Sequence, residues 1–220
     1  YYNYDAGFRP EFPGEADFQG QIVHPQFWPE NLDYAGKKVV IIGSGATAIT
    51  LVPNMTDKAA HVSMLQRSPT YIASIPSVDF IYEKMRKVLP EDLAYRLTRA
   101  RNIGMQRAIY AAAKKQPQLL RKFLLHSIKS QLKGKVDMKH FTPEYNPWDQ
   151  RLCVVPDGDL FKTLRSGQAS VETDQIEKFT AEGIQLKSGK HLDADIIVSA
   201  TGLNIQILGG IQAAIDGRPL

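Results

Sequence analysis

A glycine-rich hexapeptide directly after a short β-branched run is the first place where this sequence could bind a phosphate. It occupies residues 43–48 and follows Val39-Val40-Ile41-Ile42. A GxGxxG/A pattern at a strand-to-helix turn allows a tight turn at its first glycine and close approach of a pyrophosphate at its second. The amides at the helix N-terminus then attract the anion. The pattern predicts a dinucleotide site, with a ligand-free glycine turn as the alternative. The predicted cofactor-binding residues here are Gly43, Ser44, Gly45, Ala46, Thr47 and Ala48.

The end of the next predicted strand indicates which dinucleotide is bound. The strand is His61–Leu65, and Gln66-Arg67-Ser68-Pro69 follows it without a carboxylate. An NAD site places an Asp or Glu there to bind the ribose 2′-hydroxyl. The guanidinium of Arg67, with the hydroxyl of Ser68, can instead hold a 2′-phosphate. We therefore expect NADPH, with a surface arginine as the alternative.

These residues need a parallel sheet to position them, and the sequence predicts one. A helix over Ala46–Met55 between the two strands gives a βαβ unit. Further on, residues 183–186 and 190–192 flank Ser188-Gly189 as a hairpin, and residues 194–200 form another buried strand. The expected fold class is α/β, a Rossmann-like parallel-sheet NADPH-binding domain with a helical insertion.

The composition excludes several other classes of protein. The chain has 220 residues, 43% apolar and 23% charged, with a formal net charge of +4, as in globular domains. The single Cys153 permits no intramolecular disulfide and no CxxC motif, so we predict neither dithiol redox chemistry nor a metal site. No apolar run is long enough to span a membrane, and no signal peptide is visible. We expect a cytoplasmic protein.

The positive charge is concentrated in one segment. Residues 81–140 contain 15 Lys or Arg and 4 Asp or Glu, which gives +11 there and −7 elsewhere. Helix formers punctuated by Pro90, Pro117 and Pro143 predict two or three helices, so we expect a helical insertion at about 78–142. A solvated basic face is one interpretation, and weak peripheral contact with an anionic membrane is the other. The aromatic-basic interleaving typical of nucleic-acid binding is missing, so no nucleic acid is expected.

A second motif lies upstream of the glycines. It matches FxGxxxHxxxW(P/D) at Phe18, Gly20, His24, Trp28 and Pro29. The pattern resembles the fingerprint of Baeyer–Villiger monooxygenases, within the flavin-containing monooxygenase superfamily. In that family the fingerprint also lies just before the NADPH-binding glycines, and Trp-Pro separates it from the related N- and S-oxidising enzymes.

Two more segments resemble that family. Residues 145–156 resemble the segment that presents an active-site arginine, which implies that Arg151 lies near the flavin and favours anionic oxygen species. The family often has Lys before this arginine, whereas this chain has Gln150, so Arg67 carries the argument for NADPH. Ala200-Thr201-Gly202 matches the ATG motif where the family leaves its NADP domain, so Thr201 and Gly202 complete the predicted cofactor-binding residues.

The resemblance covers nearly the whole chain and is closest to the ethionamide-activating branch, near the 4-hydroxyacetophenone monooxygenases. It implies an FAD- and NADPH-dependent parent enzyme that forms a C4a-peroxyflavin with O2 and attacks a ketone or a thiocarbonyl or thioether sulfur. Family members carry a first GxGxxG for FAD and an Asp that partners the active-site arginine, and this chain has neither. We therefore expect an inactive piece: a linker over 1–35, the NADPH-binding domain over 36–205, and a return to the FAD domain from 206 to 220.

Other functions remain open. One is an N- or S-oxygenase of the same superfamily, or a flavoprotein associated with potassium transport. Another is a non-catalytic NADPH-sensing or membrane-associated module that uses residues 81–140. Within the first interpretation, the hypothesis for His24 is that it couples domain rotation to catalysis without touching substrate. Whether Cys153 is reactive or buried is left open.

Overall fold

The computed structural model describes residues 1–219, and the chain divides into two compact units. The first unit comprises Tyr1–Arg67 and the chain from Ser170 onward, and the second comprises Ser68–Ala169. Over the described residues the strands are β1 (Tyr2–Gly7), β2 (Gln21–Val23), β3 (Lys38–Ile42), β4 (His61–Gln66), β5 (Tyr71–Ile75), β6 (Leu152–Pro156), β7 (Ala169–Thr173), β8 (Ile176–Thr180), β9 (Gly183–Leu186), β10 (His191–Asp193), β11 (Ile196–Ser199), β12 (Leu203–Ile205), β13 (Ala214–Ile215) and β14 (Arg218–Pro219). The α-helices are α1 (Ala46–Met55), α2 (Phe80–Met85), α3 (Glu91–Lys115), α4 (Pro117–Leu132) and α5 (Asp159–Ser166).

The first unit is built on a five-stranded sheet with the order β2-β11-β3-β4-β7. The pairs β2 with β11, β11 with β3, and β3 with β4 are all parallel. Because α1 connects β3 to β4, the predicted βαβ unit is confirmed. The predicted parallel sheet is confirmed with it.

Burial explains why these segments form a sheet covered by a helix. In β3 the side chains of Val39, Val40 and Ile41 are at most 1% exposed, as expected for a central parallel strand. Helix α1 buries Ala48, Ile49, Val52 and Met55, which recur at helical spacing. Each fully buried aliphatic side chain of this size contributes roughly 1.5–3 kcal/mol relative to leaving it exposed.

A three-stranded antiparallel sheet, ordered β10-β9-β8, belongs to the same unit and contains the predicted hairpin. Its apolar side chains share a core with Phe18, whose ring meets that of Phe179 edge-on at 6.3 Å between centroids. The segment expected as a linker therefore contributes a core aromatic and the edge strand β2. The proposed division at residue 35 stays a prediction.

Two small antiparallel pairs complete the first unit. Strand β1 pairs with β12, with Tyr2 opposite Ile205 and Gly7 opposite Leu203. Strand β13 pairs with β14.

The second unit contains the helices predicted between residues 81 and 140, and these are confirmed as α2, α3 and α4. Pro117 stands in the first turn of α4, as its missing N–H group allows. The unit also contains a parallel pair, β5 with β6, and the helix α5, neither of which was predicted. Within residues 1–219, no helix combines the length and the apolar character needed to cross a membrane.

Candidate functional site

The turn after β3 brings three strands into contact. Gly43 has a φ of +135°, a backbone conformation that residues other than glycine rarely adopt. A Cβ atom on Gly43 would lie 2.5 Å from the carbonyl oxygen of Ala200, which follows β11. The Gly43 amide donates a hydrogen bond to the carbonyl of Leu65 in β4, at 2.8 Å. Glycine at this position is therefore required by the close approach of neighbouring backbone.

The second glycine of the motif begins α1 and leaves its first turn open. Gly45 is the N-cap residue and contributes no side-chain cap. A Cβ atom built on it would meet no atom within 4 Å, so the space above the helix N-terminus is open to a ligand. Ser44 and Ala48 are buried, whereas Ala46 and Thr47 are exposed. Exposed first-turn amides beside open space fit a pyrophosphate.

The end of β4 is held in place, and the arginine after it projects outward. The side-chain amide of Gln66 is buried and donates a hydrogen bond to Thr173 Oγ1 at 2.8 Å. Arg67 is exposed and forms no ion pair within residues 1–219, so its guanidinium is available to an anion. Ser68 is also exposed and is the first residue of the second unit.

The residues after β11 are fixed by contacts with the N-terminal segment. Thr201 Oγ1 donates a hydrogen bond to the carbonyl of Phe8 at 2.6 Å. The carbonyl of Gly202 accepts one from the Phe8 amide at 3.1 Å. Thr201 and Gly202 therefore occupy a defined position directly beyond the carboxyl end of β11.

Three predicted cofactor segments follow adjacent strands at the same edge of the sheet. The glycine turn follows β3, Arg67 follows β4, and Thr201-Gly202 follows β11, while β3 pairs in parallel with both β4 and β11. The carboxyl edge of a parallel sheet, where the chain continues to opposite sides of a central strand, is where α/β proteins bind ligands. The structure brings these residues to one edge.

A cleft of about 740 Å³ lies at the opposite edge of this sheet, among the first residues of the strands. Gln21, Lys38 and Ile196 begin β2, β3 and β11 and line it. Lys38 pairs with Asp193 at 2.8 Å, and this hydrogen bond raises the pKa of the lysine. Because the cleft lies at the opposite edge of the sheet, it is not the site formed by the glycine turn.

His24 connects the fingerprint to the ATG motif. Its Nδ1 accepts a hydrogen bond from the Gln26 amide at 3.3 Å, and its Nε2 lies 3.2 Å from the carbonyl oxygen of Gly202. A ring protonated at Nε2 alone satisfies both contacts. Gly7 packs against the ring so closely that a Cβ there would lie 2.1 Å from Cε1 of His24.

Three other fingerprint residues are Gly20, which packs against backbone, and Trp28 and Pro29, which are partly exposed. A Cβ on Gly20 would lie 2.3 Å from the carbonyl oxygen of Asp195, so the chain can pass β11 only without a side chain at this position. Trp28 and Pro29 follow the short 3-10 turn Pro25–Phe27 and are partly exposed. The role of the fingerprint in catalysis stays a prediction.

Arg151 belongs to the second unit, in the loop before β6. Its Nε donates a hydrogen bond to Thr70 Oγ1 at 2.7 Å, and its carbonyl accepts one from the Tyr145 hydroxyl at 3.0 Å. Thr70 is buried while the Arg151 side chain is exposed, so the hydrogen bond at Nε orients the exposed guanidinium group. Sequence patterns do not identify Thr70 as a partner of Arg151, because the two residues are 81 positions apart.

The surroundings of two residues near Arg151 shift their pKa values. Burial raises the pKa of the Cys153 thiol, and the positive charge of Arg151 partly opposes this. Asp149 pairs with Lys114 at 2.9 Å, and this hydrogen bond lowers the pKa of the carboxyl group.

The fold is that of an α/β protein with the parallel-sheet edge at which such proteins bind ligands. The model of the family described as flavin-binding monooxygenase-like matches residues 6–207, and the chain belongs to that family.

Among curated relatives, it is 80% identical to the probable FAD-binding monooxygenase AlmA of Acinetobacter baylyi, over 100% of this chain and 44% of the relative. It is 59% identical to the putative FAD-containing monooxygenase MymA of Mycobacterium tuberculosis and 57% identical to the FAD-containing monooxygenase EthA of the same species, each over 99% of this chain and 45% of the relative. The chain thus spans a little under half the length of these relatives.

Solved structures share the fold at low sequence identity. Oxidised steroid monooxygenase bound to NADP superimposes with a TM-score of 0.72 and 20% identity, covering 97% of this chain and 49% of that one. OTEMO in an FAD-bound form gives a TM-score of 0.70 with 19% identity, covering 97% of this chain and 48% of that one.

Proposed function

We propose that this chain is the NADPH-binding part of an FAD- and NADPH-dependent monooxygenase of the Baeyer–Villiger type. One observation carries the proposal: the glycine turn, Arg67 and Thr201-Gly202 follow three adjacent parallel strands at one sheet edge. The relatives named as FAD-containing monooxygenases and the fold shared with an NADP-bound monooxygenase support it.

In this proposal different residues of the sheet edge bind different parts of the dinucleotide. The first-turn amides of α1, beside Gly45, hold the pyrophosphate, and Arg67 with Ser68 holds the 2′-phosphate. Thr201 and Gly202 border the same edge. NADPH supplies the hydride and FAD, bound mainly outside residues 1–219, supplies the oxygen chemistry.

The two proposed catalytic residues act in different ways. Arg151, oriented by Thr70, provides a fixed positive charge for oxygen atoms that become negative during the reaction. His24 is a positioning residue, because both of its ring nitrogens bind backbone groups of its own unit.

The substrate class proposed for the parent enzyme is a small ketone or a thiocarbonyl or thioether compound, together with O2. The domain limits at 35 and 205 belong to the same proposal, as does the return to an FAD domain from residue 206. Product analysis with a ketone, compared with a thioether and an amine, distinguishes this enzyme from an N- or S-oxygenase, because only this enzyme is expected to oxygenate the ketone. A non-catalytic NADPH-binding module would give none of these products.

The test is calorimetric titration with NADPH and with NADH, using Gly45→Val and the matched variant Gly104→Val. Gly104 also has open space at its Cβ position but lies in α3, away from the sheet edge. We expect NADPH to bind the original chain and Gly104→Val, and to lose at least about tenfold in affinity for Gly45→Val, in which the valine side chain fills the space above α1. No NADPH binding to a folded sample, or equal binding by both variants, contradicts the proposal.

A further inference from the structure

A continuous stretch of the second unit contains no carboxylate. Between Asp92 and Asp137 the chain has 11 Lys or Arg and not one Asp or Glu, and this stretch includes nearly all of α3 and the whole of α4. Soluble surfaces ordinarily mix both signs of charge. Three of these cations pair with carboxylates outside the stretch: Arg96 with Asp92, Arg101 with Asp79 and Lys114 with Asp149. The other eight form no ion pair within residues 1–219, and this excess of positive charge indicates a negatively charged partner.

Helix α4 separates its two faces clearly. One face is buried through Leu124, Ile128 and Leu132. The opposite face, which we term the α4 outer face, consists of Leu119, Lys122, Phe123, His126 and Lys129, all exposed.

Two large apolar side chains lie within this basic face. Leu119 and Phe123, one helical turn apart, are 66% and 67% exposed. Lys122 and Lys129 lie beside them and form no ion pair with any residue of the described chain, 1–219. The face thus combines unpartnered cations with exposed apolar groups.

Helix α3 also combines exposed apolar side chains with exposed cations. Leu93 and Leu97 are 43% and 46% exposed, and Arg99 and Arg107 are exposed without an ion-pair partner in residues 1–219. Of its 25 residues, only Ala94 and Ala113 are buried. The helix is therefore held by few contacts and exposes most of its surface.

We propose that the α4 outer face docks on an anionic lipid bilayer. Phe123 and Leu119 insert at the boundary between headgroups and acyl chains, and Lys122 and Lys129 bind lipid phosphates. The proposal goes beyond NADPH binding and does not depend on it, because every residue that carries it lies in α3 or α4.

A lipid surface fits the face better than a nucleic acid does. Nucleic-acid surfaces combine cations with hydrogen-bonding side chains or with aromatic rings on which bases stack. The centre of the α4 outer face holds a single phenyl ring, Phe123, paired with an aliphatic side chain, Leu119, on which no base can stack. Groups of this kind gain free energy by entering an apolar phase.

The test is co-sedimentation of the full-length protein with vesicles of phosphatidylcholine alone, or with about 30% phosphatidylglycerol added. We expect binding to the anionic vesicles only, and at least about tenfold weaker binding at about 1 M salt. Lys122→Glu with Lys129→Glu should reduce binding at least about tenfold, and Leu119→Ser with Phe123→Ser should reduce it at unchanged charge. The matched control is Lys162→Glu with Lys178→Glu, which changes the net charge equally at exposed positions outside α3 and α4.

Several outcomes overturn the proposal. These are no binding to anionic vesicles, equal binding to neutral ones, equal loss in the control pair, or tighter binding to duplex DNA in the same buffer. Circular dichroism of every variant recognises a lost fold, and NADPH affinity, measured separately, reports a failure of the dinucleotide site.

A second readout reports whether Phe123 reaches the lipid. Phe123→Cys is labelled with an environment-sensitive fluorophore and compared with the original protein labelled in the same way, in which Cys153 of this chain is buried. We expect rapid labelling without vesicles and a blue shift of emission when anionic vesicles are added. Slow labelling of the full-length protein would show that another part of the protein covers the face, and this would overturn the proposal.

Discussion

Nε2 of His24 donates a hydrogen bond to the carbonyl oxygen of Gly202, 3.2 Å away and 178 residues later in the chain. Nδ1 of the same ring accepts a hydrogen bond from the amide of Gln26. Both ring nitrogens are thus engaged by backbone, and the ring fastens the fingerprint loop to the residues that precede β12.

Substituting Gly7 by Ala tests this arrangement without altering His24. The added Cβ would lie 2.1 Å from Cε1 of His24, so the ring must move and its contact with Gly202 is strained or lost. We expect a loss of stability of about 1–3 kcal/mol, measured by chemical denaturation.

Gly104→Ala is the matched control for Gly7→Ala. Gly104 lies in α3 with nothing within 4 Å of its Cβ position, so alanine there should stabilise by about 0.5–1 kcal/mol. If both variants changed the stability in the same direction, the packing of Gly7 on His24 would not explain the result.

Arg67→Ala tests the 2′-phosphate site. Loss of an exposed, unpaired guanidinium that binds a phosphate should weaken NADPH binding roughly 10–100-fold and leave NADH binding unchanged. Calorimetric titration of both nucleotides measures the ratio. Arg99→Ala, which removes an exposed arginine from α3, should leave both affinities unchanged. An equal loss for NADPH and NADH would mean that Arg67 does not read the phosphate.

Asp79 combines a helix cap with an ion pair. Its Oδ1 accepts hydrogen bonds from the amides of Ile81 and Tyr82, both at 3.1 Å, and its Oδ2 pairs with Arg101. Asp79→Ala should lower the stability through the lost cap, and Asp79→Asn should lower it less because an acceptor remains. Asp92→Asn, at an exposed position, should be nearly neutral.

The same carboxyl group predicts a pH dependence. The hydrogen bond from Arg101, with those from the α2 amides, holds the pKa of Asp79 below its ordinary value of 3.8. Its contribution to stability is therefore fully present above pH 3.8 and is lost as the pH falls through the lower folded-state pKa. The stability difference between the original chain and Asp79→Asn should shrink in acid, as denaturation curves recorded from pH 6 to about pH 2 would show. A difference that stays constant over this range contradicts the assignment.

Cys153 should react slowly. Burial raises the pKa of its thiol, so alkylation by iodoacetamide should be slower than that of an exposed cysteine and should accelerate only at higher pH. Because Arg151 lowers this pKa, Arg151→Ala should move the rate profile to still higher pH, whereas Arg99→Ala should not. An unchanged profile in Arg151→Ala would show that the two groups do not interact.

Local patterns accounted for the elements that were predicted correctly. The run Val39–Ile42 and the glycines after it define β3 and the start of α1 within a dozen residues, and Ser188-Gly189 turns the hairpin between β9 and β10. Spacing at helix and strand period requires no knowledge of the rest of the chain.

Pairings between distant segments were not predictable in the same way. Strand β5 pairs with β6 in register Tyr71 to Leu152, and neither segment carries a signal that selects the other. Strand β2 has three residues, too few for a periodic pattern, and joins the sheet through β11. The contact of Arg151 with Thr70 has the same character, since tertiary packing alone brings these side chains together.

The carboxylate-free stretch between Asp92 and Asp137 also has a consequence for ion-exchange behaviour. The stretch has a formal charge of +11 and the rest of the chain has −7, so the net charge of +4 is the sum of two regions of opposite sign. A cation exchanger should therefore retain the chain through these helices more strongly than the net charge alone predicts.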